Sequence, residues 1–226
     1  MFNKSMINHY IKTVSTLCIS ALMLFSTSVN ANTHNVGQAT TLIANAMQAS
    51  LSIINDPALS TKIKRQKLWP IVTTYFDFML ISELTLGKFA ADAKSPLGDY
   101  SDRRFTVEQQ ARFTDAFTIH LGNLYLDRLN NDSQFSVSLT QSSAMKPIRN
   151  MQRARVNSLI NGKTAIDYSL RLKDNEWLIY DIKVEGRSLI SSFRKEYAAL
   201  LLKKTPDELL TLLSDKNRAH TENNAE

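Results

Sequence analysis

Residues 151–184 read MQRARVNSLINGKTAIDYSLRLKDNEWLIYDIKV, and this stretch carries the strongest structural signal in the sequence. Apolar and polar side chains alternate along it, which is the period of strands that bury one face. Asn161-Gly162 is the strongest short signal for a hairpin turn, and Asp174-Asn175 indicates a second tight turn. A further alternation precedes the stretch at residues 135–139. Together these patterns predict an antiparallel meander with one apolar face.

The alternation also assigns side chains to the two faces of the predicted sheet. From residue 154 to residue 172 the even-numbered strand positions are largely apolar, so we expect them to face inward. The same assignment places Leu178, Tyr180, Ile182 and Val184 on the apolar face of the last strand.

Helical patterns lie on both sides of the meander. Before it, Pro70 suits the first turn of a helix, and the clearest helix begins after Thr106, which forms a capping box with Gln109. After it, Ser188 caps one helix and Thr205 begins the cap of another. This order predicts a single α+β domain in which helices precede the sheet and further helices fold back over it.

The first residues have the pattern of a secretory signal peptide. Lys4 and Lys12 supply a basic start, and an apolar run follows over residues 14–25. A membrane-spanning helix needs roughly 20 apolar residues, so this run is short for an uncleaved anchor. The triplet Val29-Asn30-Ala31 carries small or compact residues at the positions that signal peptidase contacts. We therefore expect residues 1–31 to be removed during export.

Composition limits the chemistry of the mature protein. Its one cysteine, Cys18, lies in the predicted signal peptide, so cleavage leaves no disulfide, catalytic thiol or cysteine-bound metal. The formal net charge of +6 falls to +4 when the two signal-peptide lysines are removed, and this charge is too diffuse to favour nucleic-acid binding. We expect one domain over residues 32–213 and a disordered polar tail over residues 214–226.

No arrangement of residues identifies an active site. His120 lies alone on the core-facing stripe of a helix, and one histidine cannot form a histidine-rich metal site. Asp77 lies between two phenylalanines and Asp181 follows a tyrosine, so either could be a buried catalytic acid. The alternative, which we favour, is a structural carboxylate paired with an arginine such as Arg112 or Arg194. We predict no catalytic residue and no metal ligand.

Several short motifs, in order, resemble a known family. Residues 175–190 contain Trp-x-x-Tyr-Asp and then Glu-Gly-x-Ser, and the helix that follows contains aromatic residues and an arginine. Upstream, residues 76–78 (Phe-Asp-Phe) and 86–88 (Leu-Gly-Lys) fit the same pattern. Over residues 38–213 the chain resembles the MlaC (toluene-tolerance) family of periplasmic phospholipid-binding proteins.

The resemblance implies both a structure and a function. The structure would be a cone-like α+β domain in which N- and C-terminal helices wrap a curved antiparallel sheet around an apolar cavity. The function would be a periplasmic carrier that shuttles phospholipid between the outer and inner membranes and maintains outer-membrane lipid asymmetry. Its partners would be an inner-membrane MCE-domain ABC transporter complex and an outer-membrane lipoprotein–porin complex. We expect a monomer whose ligand is phospholipid, with no cofactor.

The apolar stripes supply candidate lining residues for such a cavity, although periodicity alone does not separate a cavity wall from a filled core. The candidates are Phe76, Leu80, Leu84, Phe113, Phe117, Leu121, Tyr125, Val137, Leu139, Val156, Ile166, Tyr168, Leu170, Ile182, Val184, Leu189 and Phe193.

Functions of three classes remain open from the sequence. The first is the lipid carrier. The second is a periplasmic enzyme that uses Asp77 or Asp181 as a buried acid in an apolar pocket. The third is a structural or adaptor protein with a filled core. Phospholipid that co-purifies with the protein would separate the first class from the third.

We expect the mature protein recovered from the periplasm to begin at Asn32, because cleavage after Ala31 fits the pattern of small residues that ends the apolar run. N-terminal sequencing or the intact mass of periplasmic material tests this. A periplasmic product that still carries Met1 would contradict the cleaved signal peptide.

Overall fold

The structure is a computed structural model that describes residues 31–126, 134–148 and 150–223. Nearly all of the predicted signal peptide lies outside these residues. The described residues from Asn32 onward form one compact unit. Within the described ranges, no helix combines the length and the hydrophobicity that crossing a membrane requires.

Helices occupy both ends of the described chain. Two short 3-10 segments, Gly87–Phe89 and Gly98–Arg103, connect the third helix to the fourth. The helices are α1 (Ala31–Ile54), α2 (Thr61–Tyr75), α3 (Phe78–Leu86), α4 (Val107–Tyr125), α5 (Leu189–Leu201) and α6 (Pro206–Asn223).

The strands between α4 and α5 form an antiparallel sheet in sequence order. Asn161 and Gly162 both have positive φ in the hairpin between the second and third strands, as that turn requires. The predicted α+β fold with an antiparallel meander is therefore confirmed. The strands are β1 (Val137–Ile148), β2 (Met151–Ile160), β3 (Thr164–Lys173), β4 (Glu176–Val184) and the two-residue β5 (Arg187–Ser188).

A β-bulge in β4 changes which side chains face inward. Ser169 pairs with Asp181, but the next residue of β3, Leu170, pairs with Ile179, so Tyr180 is an extra residue in β4. The insertion reverses the alternation, because a strand exchanges its two faces with every shift of one residue. Before the bulge, Trp177 and Ile179 lie in the same apolar cluster as Leu170. The inward assignment of Leu178 and Tyr180 was therefore wrong.

Two apolar clusters hold the helices to the sheet and to each other. In the first, Ala39 and Ile43 of α1 pack against the inward face near Leu170. In the second, Phe117 of α4 contacts Phe193 and Tyr197 of α5 with ring centroids 5.0 and 5.6 Å apart. Edge-on aromatic contacts of this kind add stabilisation beyond the buried area. Without a disulfide in residues 32–226, these two clusters carry the stability of the domain.

The helix predicted to begin near Pro70 does not begin there. Helix α2 runs through Pro70 to Tyr75, and the break falls at Phe76 and Asp77 instead. Phe76 forms a parallel bridge with Ile179 of β4, and the Asp77 side chain caps α3 by accepting from Leu80 N at 3.0 Å. Attachment to the sheet edge and a new cap therefore stop the helix where the proline does not.

The tail predicted to be disordered from Ser214 is helical as far as Asn223, and only residues 224–226 lie outside the described ranges. Asn217 is buried, accepts from Asn123 Nδ2 at 3.2 Å and donates to the Ala116 carbonyl at 2.8 Å. This polar contact joins α6 to α4. The prediction failed because hydrogen bonds, rather than an apolar stripe, bind this part of the helix.

Helix α2 approaches α4 closely at Gly122. A Cβ atom added to Gly122 would lie 2.6 Å from Cζ3 of Trp69, so the two helices pack through the missing side chain. In contrast, a Cβ atom added to Gly37 of α1 would meet nothing within 4 Å.

We expect Gly122→Ala to lower the free energy of unfolding by about 1–3 kcal/mol, because overpacking at Trp69 outweighs the higher helix propensity of alanine. Gly37→Ala is the matched control and should leave stability unchanged or slightly raised. Thermal or urea unfolding followed by circular dichroism measures both changes. Equal stability of the two variants would mean that the Trp69 ring moves aside freely.

Candidate functional site

A large apolar cavity lies between the sheet and the helices that follow α1. Its volume is about 940 Å³, near the upper end of the roughly 300–1,000 Å³ typical of ligand cavities. The inward face of β2–β4 forms one wall, and side chains of α2–α5 form the other.

The sheet wall follows from strand register. Tyr168 pairs with Ile182, and Ile166 pairs with Val184, so these four side chains lie side by side on the inward face. Ile160 at the end of β2 extends the wall. Burial raises the pKa of the Tyr168 hydroxyl, which therefore stays neutral at physiological pH. The whole wall thus presents uncharged surface to the cavity.

The helix wall comes from one stripe of α4 and from the region around the α2–α3 junction. In α4, Thr118, Leu121, Gly122, Tyr125 and Leu126 have helical spacing and reach the cavity. The neighbouring stripe of the same helix, which contains Phe113 and Phe117, turns into the packed core instead.

Charged groups of the cavity lie at its edge, in the turn after β4 and at the start of β5. Glu185 and Arg187 are both exposed. The Glu185 carboxylate accepts from the Ala165 backbone N–H at 2.6 Å, and that hydrogen bond fixes its position. A ligand with a long apolar part and a polar end could therefore bury the first and leave the second in water.

The structure brings part of the predicted site together. Residues that were predicted and that lie at the cavity are Phe76, Leu121, Tyr125, Ile166, Tyr168, Ile182, Val184 and Leu189.

The other predicted residues do not line this cavity, for reasons that differ by position. Most of them are buried in the two packed clusters and Leu84 is half-buried against the first, whereas β1 is an edge strand and largely exposed. The residues in the cluster of α3–α6 are Leu80, Leu84, Phe113, Phe117 and Phe193. Those packed against α1 are Val156 and Leu170, and those on β1 are Val137 and Leu139.

Sequence reasoning also missed residues that the cavity uses. Helical spacing of Trp69, Val72 and Phe76 could have revealed the α2 contribution, but the helix expected to begin near Pro70 divided that stripe. Glycine, threonine, serine and charged residues carry no apolar signal at all. The missed residues are Trp69, Val72, Phe78, Ile81, Thr118, Gly122, Leu126, Ile160, Glu185, Arg187 and Ser192.

Asp77 is a structural carboxylate outside the cavity lining. It is 4% exposed and pairs with Arg171 of β3, not with Arg112, which instead forms an exposed ion pair with Asp207. Its backbone N–H donates to the Ile179 carbonyl at 2.8 Å. A carboxylate held by a cation and by its helix cap is poorly placed to exchange protons with a ligand.

Asp181 also serves the structure. Its two oxygens accept from Ser188 Oγ at 2.8 Å and from Ile190 N at 3.2 Å, which fixes the start of α5. The predicted partner Arg194 donates instead to the Leu84 carbonyl at 2.5 Å.

His120 is buried in the packed core, close to the Phe193 ring. Burial lowers its pKa, with a smaller contribution from the positive charge of Lys216, so the imidazole is neutral at neutral pH. Among the described residues, no group of three histidine, cysteine, aspartate or glutamate side chains could hold a metal ion.

Two comparisons with known proteins give a match, and a third gives none. The family model described as MlaC protein matches residues 44–215. Among solved structures, the chain is similar to the phospholipid-binding protein from Ralstonia solanacearum in complex with a phospholipid, at 24% identity and a TM-score of 0.63. That match covers 81% of this chain and 99% of the other, and it shows a shared fold. The search of curated proteins gives no match.

We expect Asp77→Asn to lower the free energy of unfolding by about 3 kcal/mol, because Arg171 would lose its charge partner in a largely buried place. Asparagine can still cap α3, so the variant isolates the loss of charge. Asp215→Asn removes an exposed i,i+3 partner of Arg218 and should change stability by less than about 0.5 kcal/mol. Chemical denaturation measures both. If both substitutions changed the free energy of unfolding equally, the ion pair between Asp77 and Arg171 would contribute no more than an exposed one.

Proposed function

Since the chain belongs to the MlaC family, we propose that it binds phospholipid in the apolar cavity and carries it through the periplasm. The observation that supports this most directly is the cavity itself, which has a volume of about 940 Å³ and is lined mainly by aliphatic and aromatic side chains. The similar protein from Ralstonia solanacearum, solved in complex with a phospholipid, adds support from a shared fold.

The energetics of a cavity of this kind suit a carrier. Burial of each methylene group is worth about 0.8 kcal/mol, so acyl chains exposed to water would cost tens of kcal/mol. A cavity wall built from Tyr168, Ile182 and their neighbours can shield such chains as a bilayer does. Transfer between membrane and protein then changes the free energy little, and the protein can both load and unload.

A carrier that exchanges lipid near equilibrium sets no direction by itself. We therefore place this protein between an inner-membrane MCE-domain ABC transporter complex and an outer-membrane lipoprotein–porin complex, which would supply direction. In this role it would act as a soluble periplasmic monomer and would maintain the lipid asymmetry of the outer membrane. Recognition of the headgroup would be limited, because the edge of the cavity stays open to water near Arg187.

The proposed carrier has no catalytic role. Asp77 and Asp181, the two candidates for a buried acid, are both held by structural hydrogen bonds and lie outside the cavity lining. The geometry thus gives no specific support to an enzyme that acts on a bound lipid.

We expect protein purified from the periplasm to carry phospholipid, detected by organic extraction and mass spectrometry. Thr118→Trp should lose most of that lipid, because the larger side chain would fill the cavity from α4. Ile119→Trp is the matched control. Ile119 follows Thr118 in the same helix, is 44% exposed and does not line the cavity, so the lipid load of this variant should stay normal.

Circular dichroism must show that both variants are folded. A parent protein free of phospholipid would contradict the proposal, and so would a folded Thr118→Trp variant with a full load. Accumulation of lysophospholipid or free fatty acid during incubation with phospholipid would instead favour the enzyme.

A further inference from the structure

A second cavity lies on the other side of the sheet from the apolar one. Its volume is about 450 Å³, and it lies between the outward face of β2–β4 and the start of α5. Arg155, Ser169 and Asp181 form a row across three strands on this face. The adjacent row, Val156, Tyr168 and Ile182, points to the opposite face. The two cavities are therefore separated by the sheet.

Positive charge dominates the lining of this second cavity. Arg153, Arg155, Lys183 and Arg194 contribute four cations, against the single carboxylate of Asp181. In the described part of the chain, Asp181 forms no ion pair, and its oxygens accept from Ser188 Oγ and Ile190 N. The carboxylate is thus committed to the start of α5, and the residues that line the cavity supply no other negative charge. Asp167 lies opposite Lys183 on the same face of the sheet but outside this lining.

Two of the arginines are held in place by neutral groups. Arg153 Nε donates to the Tyr180 hydroxyl at 2.7 Å, and its guanidinium carbon lies 5.6 Å from the centre of the Tyr180 ring. Arg194 Nε donates to the Leu84 carbonyl at 2.5 Å. These contacts orient the guanidinium groups and leave their charge unneutralised. Side chains fixed in this way lose little freedom when a ligand binds.

Arg155 carries a buried donor. Its Nε is buried and, among the described residues, has no hydrogen-bond acceptor. A buried donor of a charged group that lacks an acceptor is unfavourable, and an anion bound by the cavity-lining part of the Arg155 side chain would stabilise this charge without contacting Nε itself. This observation points to a ligand rather than to a merely solvated basic surface.

We propose that this cavity binds a phosphate group. Guanidinium groups match the geometry of both carboxylate and phosphate, but the donors here exceed what two carboxylate oxygens can accept. Three arginines, Lys183 and the hydroxyl of Ser169 surround the space, which suits an anion with three or four oxygens and more than one negative charge. The start of α5 takes no part, because Asp181 and Ser188 already accept from its amides.

The phosphate could arrive free in solution or as the headgroup of a lipid in a membrane surface. In either case it binds outside the acyl-chain cavity, so the site does not depend on the proposed carriage of lipid. Calorimetric titration with sodium phosphate at constant ionic strength tests the free form. Flotation with vesicles of phosphatidic acid or phosphatidylcholine, with and without added phosphate, tests the membrane-bound form.

The variants are Arg155→Met and Lys183→Met, with Lys163→Met as the control. Lys163 is exposed in the hairpin between β2 and β3 and does not line this cavity. Lys163→Met therefore removes one positive charge from the protein without changing the cavity. We expect one saturable phosphate site whose Kd rises about tenfold or more in each of the first two variants, since a hydrogen bond to a charged group is lost. The control should keep the parent Kd.

Absence of saturable binding by the parent protein would overturn the proposal, as would equal Kd values in all three variants. Tighter binding of hexaglutamate than of phosphate, with competition between them, would also overturn it in favour of an acidic polypeptide. Co-purified phospholipid is measured on every sample and should equal that of the parent. If Arg155→Met fails to fold, Lys183→Met decides the result. A parent protein that carries a normal lipid load but shows no saturable phosphate binding rejects this site and leaves the proposed lipid carrier standing.

Discussion

The attachment of Asp77 to the sheet is the contact on which the apolar cavity depends. Its carboxylate pairs with Arg171 of β3 and caps α3, while its backbone N–H donates to the Ile179 carbonyl of β4. One residue therefore ties the end of α2, the start of α3 and two strands together. Helices tied in this way at the sheet edge need not collapse onto the inward face. The void can persist because polar links, rather than apolar contact across it, set the separation.

Much of the fold could be predicted because its signals are local. The alternation over residues 151–173 and the Asn161-Gly162 turn give the meander, and the capping box of Thr106 and Gln109 gives the start of α4. What failed depends on contacts distant in sequence. The bulge at Tyr180, the passage of α2 through Pro70 and the helical end of α6 are each decided by partners in other elements. No short window of sequence contains those partners.

The candidate site was only half predictable for a related physical reason. A core and a cavity wall both need apolar side chains at regular spacing, so Phe117 and Leu121 look alike in sequence. In the structure, Phe117 contacts three aromatic rings inside the packed core, whereas Leu121, one turn further along α4, is buried but also borders the cavity. Small residues matter as much as large ones here. Gly122 lets Trp69 lie at the wall, and Thr118 leaves volume that a larger side chain would occupy.

The outer edge of β1 has a consequence for how copies of this chain meet. Among the strands that the structure describes, the twelve-residue β1 has no neighbour on its outer side, and the backbone groups of such an edge could template pairing with a second sheet. Pro147 lacks the N–H that such pairing needs, and Lys146 beside it would bring like charges together. From Ser138 to Ser143 the strand is mostly polar and exposed on both faces. These features make the outer edge of β1 poorly suited to edge-to-edge pairing with a second sheet.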